Sequence, residues 1–241
     1  MQSVPSASSL ANVPTVTAVN QENGGVNPEG PPPSLLLLRT MHVVNTLTHL
    51  LLGAVIILGV LCGNYYSIIK GPLSAHIYLC VVGYVVLMSQ AVLSLSPYNG
   101  WSQTFSYQEK RFMHWVLQIA GSALAITGSI IKIVDTPDNF QTVHGIIGLI
   151  ALLLTCLSMI GGIINLLFFK VNPKIIKILH ASLGLLTLCV AYLSLIFAFS
   201  DYSNIFLNGV SNVRLAISLT VVGLGGLVAS SIVNIFQRIY S

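Results

Sequence analysis

The chain has 241 residues, of which 54% are hydrophobic and only 7% charged, against roughly 25% charged residues in a typical soluble domain. So little charge beside so much apolar surface excludes a water-soluble globular protein and makes this an integral membrane protein. The formal net charge of +4 comes from basic residues lying between apolar runs, a pattern that marks membrane topology rather than nucleic-acid binding.

Residues 1 to about 38 carry Pro5, Pro14, Pro28 and Pro31 to Pro33, many small polar residues, and just two acidic ones, Glu22 and Glu29. No basic segment precedes an apolar core, so a signal peptide is not expected and the segment reads as a disordered tail. Six apolar runs follow, near 43–66, 74–95, 112–134, 143–169, 177–199 and 213–236. Each is close to or beyond the roughly 20 residues that cross a hydrocarbon core of about 30 Å. Backbone groups in lipid must pair within their own segment, so the runs are expected to be helices. The fold class expected is an all-α, six-helix transmembrane bundle over 39–240. Breaks fall at Lys70-Gly71-Pro72, at the polar stretch from Pro97 to Arg111, at Asp135 to Asp138, at Lys170 to Lys174, and from Ser200 to Asn212.

Counting basic residues orients the bundle. One side collects Arg39, Lys110, Arg111, Lys170, Lys174, Lys177 and Arg238, and the other Lys70, Lys132 and Arg214. Seven against three puts both termini in the cytoplasm. The six acidic residues all fall in the tail or the loops, whereas a proton-coupled carrier usually keeps a carboxylate in the membrane. The four cysteines, Cys62, Cys80, Cys156 and Cys189, lie in or beside apolar runs without CxxC spacing and read as packing residues.

The histidines carry the functional signal. His76 and His144 begin the second and fourth runs, and His114 and His180 begin the third and fifth, which run the other way. Two imidazoles therefore sit near each face, at levels roughly 20 Å apart for a helix rise of ~1.5 Å per residue. A membrane histidine without a partner or ligand is costly, and one alone is often an interhelical hydrogen-bonding residue. Four at matched depth on consecutive helices fit two haems, one above the other, each held by two imidazoles. The intervals from His76 to His114 and from His144 to His180 are 38 and 36 residues, so the two hairpins look like a repeat. His42 and His49 on the first helix have no such counterparts; His42 reads as interfacial, and His49 as a packing residue or one that supports a ligand from behind.

Several stretches give the chain a family likeness: Ser74-Ala-His76, Leu87-Met88, Ser96-Pro97, His114-Trp-Val-Leu-Gln118, His144-Gly145, Gly161-Gly162, and Leu179-His-Ala-Ser-Leu-Gly-Leu185. Over about residues 40 to 238 it resembles the cytochrome b561 family, above all the branch of transmembrane ascorbate-dependent ferrireductases. That resemblance implies two haem b groups in the central four helices, one ligated by His76 with His144 and the other by His114 with His180. It implies single-electron transfer from cytosolic ascorbate to ferric iron or monodehydroascorbate, in an endomembrane such as the ER or a vesicle, with a homodimer allowed. Lys110, Arg111, Lys174 and Lys177 match the basic donor site. Two departures stand out: the longer aromatic and arginine-containing ascorbate motif near the first cytosolic loop is missing, and Ile77 follows His76 where many relatives have Pro. Two other expectations compete, a non-enzymatic haem-binding scaffold and a histidine-dependent carrier of protons or small solutes.

Overall fold

The computed structural model describes residues 34–67, 71–167, 173–206 and 209–240. Residues 1–33, Lys70 and Lys170 lie outside the described residues, as do the side chains of Lys174 and Arg238. Six helices make up almost all of the rest: α1 (Leu35–Ser67), α2 (Gly71–Leu93), α3 (Tyr107–Asp135), α4 (Val143–Leu167), α5 (Pro173–Phe206) and α6 (Val210–Tyr240). All six are long and apolar enough to cross a membrane. The chain is thus a multi-pass helical membrane protein.

Each helix packs on the next and α6 returns to α1, so the six close a ring in chain order. The exterior is studded with exposed Leu, Ile and Val, among them Leu50, Leu153 and Val222, as expected of a surface that faces lipid. Inside, several hydroxyls bond back to their own helices. Thr48, Thr155, Thr187, Thr220 and Ser231 each donate to the carbonyl four residues back at 2.7–2.8 Å, which removes the penalty of an unpaired polar group in an apolar setting.

Several boundaries differ from those read off hydropathy. α3 starts at Tyr107, because Ser106 and Glu109 form a capping box: the Ser106 Oγ accepts from the Glu109 amide and the Glu109 carboxylate accepts from the Ser106 amide. α5 runs on to Phe206 through the segment expected to be a loop. Glu109 and Asp135 consequently lie in the terminal turns of α3, and Asp201 within α5, rather than in loops. The reason is that hydropathy marks the hydrocarbon core, while a helix continues into the polar interface. The α3 terminus is closed by Asn139, whose amide donates to the carbonyls of Ile133 and Thr136 at 2.8 and 2.6 Å.

Hydropathy also misses a stretch of wider winding. Val81–Met88, in the middle of α2, is π-helical, and Ser89 Oγ donates to the Tyr84 carbonyl at 2.9 Å. Opposite this stretch α3 comes very close. A Cβ on Gly83 would meet the Gly121 carbonyl oxygen at 2.7 Å and the Ala125 nitrogen at 2.8 Å, and one on Gly121 would meet Met88 Cγ at 2.8 Å. Small residues that let backbones approach are the usual glue of membrane helices. Gly83→Leu is therefore expected to lower the thermal stability of the detergent-solubilised protein by an overpacking cost of roughly 1–3 kcal/mol or more. Gly53→Ala, with open space around it, is expected to change little. Equal melting curves for the two variants would contradict this packing.

Candidate functional site

Two pairs of histidines face each other across the gap between the α2–α3 and α4–α5 hairpins. His76 on α2 and His144 on α4 have ring centroids 6.1 Å apart with planes inclined at 72°. His114 on α3 and His180 on α5 are 6.4 Å apart and inclined at 89°. All four are partly buried.

Neighbouring backbone orients the rings. His76 Nδ1 donates to the Gly128 carbonyl at 3.0 Å, His114 Nδ1 to the Ala91 carbonyl at 2.8 Å, and His144 Nδ1 to the Ser194 carbonyl at 2.9 Å. A carbonyl can only accept, so each bond fixes the tautomer that leaves Nε2 with its lone pair available. His180 lies against Gly161 and Gly162. A Cβ on Gly162 would come within 3.2 Å of the His180 Cε1 atom, so glycine there keeps room for the ring.

Each pair lines a cavity. The His76–His144 cavity encloses about 1540 Å³ including its mouth, and the His114–His180 cavity about 1030 Å³. Lys132, Asp138, Phe140 and Thr142 stand at the first cavity, with Phe140 held at a φ of 62° in the turn between α3 and α4. Tyr107, Arg111 and Lys177 stand at the second, the Arg111 guanidinium lying 5.9 Å from the Tyr107 ring centre.

The donor set narrows the chemistry. Among the described residues no three His, Cys, Asp or Glu side chains converge as they would on a bare metal ion. Two imidazoles on opposite sides of one metal, each bonded at about 2 Å, put their ring centres about 6 Å apart. The measured separations match, and a planar tetrapyrrole is the ligand that leaves two such positions open. The residues present fit haem.

A six-helix membrane protein with imidazole pairs at two depths is the class that fold and site define. The family description "Eukaryotic cytochrome b561" matches residues 75–207, and the chain belongs to that family, which binds haem b. Transmembrane reductase CYB561D2 of Bos taurus, of Mus musculus and of Homo sapiens are each 31% identical to it over 120 residues, covering 46% of this chain and 54% of the relative. The chain thus spans about half the length of the curated relatives it matches.

Of the four basic residues singled out in the sequence, Arg111 and Lys177 line the His114–His180 cavity, while Lys110 does not. His49 has a structural partnership: its Nε2 donates to Asn99 Oδ1 at 2.8 Å, and Gln90 Nε2 donates to its Nδ1 at 3.1 Å. His42 stacks edge-on against Tyr98. Sequence reasoning misses the three carbonyls that hold the rings, because every residue has a carbonyl. A register signal does exist, since Gly128 and Ser194 each stand 14 residues after the histidine of their own helix.

Gly162→Leu is expected to push the His180 ring aside and lower the haem bound per chain in a pyridine haemochrome assay. Gly225→Leu, where the backbone meets nothing within 4 Å, is expected to keep the wild-type content. Full haem in Gly162→Leu would contradict the part assigned to that glycine.

Proposed function

We propose that the chain is a di-haem transmembrane oxidoreductase that passes single electrons from cytosolic ascorbate to ferric iron or monodehydroascorbate on the far side. The observation that carries this reading is the pair of facing imidazole couples within one bundle. The relatives' printed name, transmembrane reductase, supports the same class of activity. In this reading residues 39–240 form the redox unit, with both termini in the cytoplasm and the protein in an endomembrane.

His76 with His144, and His114 with His180, would each hold one haem b. Haem b supplies, when bound, a one-electron ferric/ferrous couple whose potential its axial ligands and surroundings tune. The remaining work belongs to side chains and backbone. The carbonyls of Gly128, Ala91 and Ser194 keep three imidazoles in the ligating tautomer. Apolar walls such as Ile77, Val81, Leu149 and Leu195 exclude water from the first cavity.

The excess of Lys and Arg supports a cytosolic position for His114 and His180. Arg111, steadied on Tyr107, and Lys177 then flank the cytosolic cavity. Two cations beside such a mouth raise the local concentration of an anionic donor like ascorbate. Transfer of one charge across the membrane also couples to voltage, at about 2.3 kcal/mol per 100 mV.

Purified protein should show two b-type haems per chain reduced by ascorbate in a reduced-minus-oxidised spectrum. His114→Ala or His180→Ala should lose one of them and stop reduction from the cytosolic side in proteoliposomes. Normal turnover with a single-haem spectrum would sink the relay. Arg111→Glu combined with Lys177→Glu should raise the apparent KM for ascorbate roughly tenfold at low salt, and less at high salt, with haem content unchanged. An unaltered KM would remove both residues from the donor site.

A further inference from the structure

The two imidazoles of the His76–His144 pair are held by unequal partners. Gly128 on α3 and Ser194 on α5 occupy equivalent places, each 14 residues after the histidine of its own helix. Each offers its carbonyl to an Nδ1–H from the preceding helix, at 3.0 Å for His76 and 2.9 Å for His144. Only position 194 adds a hydroxyl. Ser194 Oγ lies 3.0 Å from His144 Nδ1 and donates to the His144 backbone carbonyl at 3.2 Å.

Proton counting selects one arrangement. A hydroxyl has a single proton. With Nδ1–H directed at the Ser194 carbonyl, Oγ gives its proton to the His144 carbonyl and turns a lone pair towards the same Nδ1–H. The reverse tautomer would set the Ser194 carbonyl 2.9 Å from an imidazole lone pair. Ser194 is buried, and Gly148 gives its hydroxyl room, since a Cβ there would approach Oγ to 3.3 Å. On the His76 side the matching position has no side chain. The extra neighbour of that ring is the thiol of Cys80, 3.5 Å from Nδ1, with the Ala125 carbonyl and Ser129 Oγ also in its reach at 3.8 and 3.9 Å.

We propose that Ser194 is a positioning residue that locks the rotation of the His144 ring and strengthens it as an electron donor through Nε2, lowering the potential of the haem it ligates. Acceptors on the distal nitrogen raise the basicity of a ligating imidazole and fix its plane. A more basic ligand favours the ferric state. The two ligands of this haem are consequently dissimilar, His144 being the more tightly held. The proposal rests on the reading that His144 is an axial ligand.

The test uses the full chain with haem bound and compares Ser194→Ala, Ser194→Cys and Ser194→Thr. Haem per chain, the highest-g signal of the ferric low-spin spectrum and the midpoint potentials are measured. Ser194→Ala should keep its haem, move one of the low-spin signals and raise one midpoint potential, while Ser194→Thr, which retains the hydroxyl, should return both towards wild type. Wild-type signals and potentials in haem-replete Ser194→Ala would overturn the proposal. Should Ser194→Ala not hold haem, the nearly isosteric Ser194→Cys decides: a shift in the same sense supports the proposal and wild-type values overturn it. Full haem in His144→Ala would overturn the ligand reading instead, which separates the two failures.

Discussion

The structure depends on hydrogen bonds between imidazole Nδ1–H groups and backbone carbonyls of adjacent helices. An imidazole in an apolar interior needs a partner for its N–H, because an unpaired polar group there costs several kcal/mol. Carbonyls in a helix already accept one bond, but oxygen has a second lone pair. Gly128 can offer it because α2 lies so close to α3 there that a Cβ on Gly128 would sit 2.8 Å from that of Leu79. Ala91 can offer it because α2 is ending: the Leu95 amide turns back to Val92, and the Ala91 carbonyl takes Ser94 Oγ and His114 instead. Close packing and helix termination thus set the direction of Nε2 in His76 and in His114.

Between the two levels, buried polar side chains tie helices together across an otherwise apolar core. Tyr84 Oη and Thr155 Oγ1 are 2.9 Å apart, joining α2 to α4, and Tyr192 Oη and Ser89 Oγ are 2.9 Å apart, joining α5 to α2. Ser89 also answers the Tyr84 carbonyl within the π-helical stretch. The Ser89 amide donates to that same carbonyl, so the hydroxyl adds a second bond there while tying α2 to α5 through Tyr192. Tyr84 lines one cavity and Met88, one turn further on, lines the other. Side-chain bonds thus reinforce the apolar packing of the wall between the cavities.

Much of this was legible in the sequence, for physical reasons that also explain the gaps. Lipid forces backbone pairing within a segment, so six apolar runs translate directly into six helices. Depth is read from position along a helix, so His76 could be matched with His144, and His114 with His180, and these are the rings the fold sets 6.1 and 6.4 Å apart. Azimuth is another matter. Nothing in the order of residues says that α2 winds more widely over Val81–Met88, and without that rotation the direction of Tyr84 is not recoverable. The same blindness covers Arg111 and Lys110: adjacent in sequence, they differ by about 100° around the helix, and only Arg111 lines the cavity.

His49 shows how a residue without a symmetric counterpart still serves the site. Asn99 Nδ2 donates to Ser102 Oγ at 2.9 Å, so its oxygen is the acceptor for His49 Nε2–H. Trp101 Nε1 donates to Gln90 Oε1 at 3.1 Å, so the Gln90 nitrogen is the donor to His49 Nδ1. Every member has one role, and the ring sits between a donor and an acceptor. The network pins the turn after α2 onto α1. That turn begins at the residues whose helix termination frees the Ala91 carbonyl, and Gln90 is the neighbour of Ala91 in the chain. α1 is thus tied by His49 to the end of α2, beside the Ala91 carbonyl that the α3 imidazole uses.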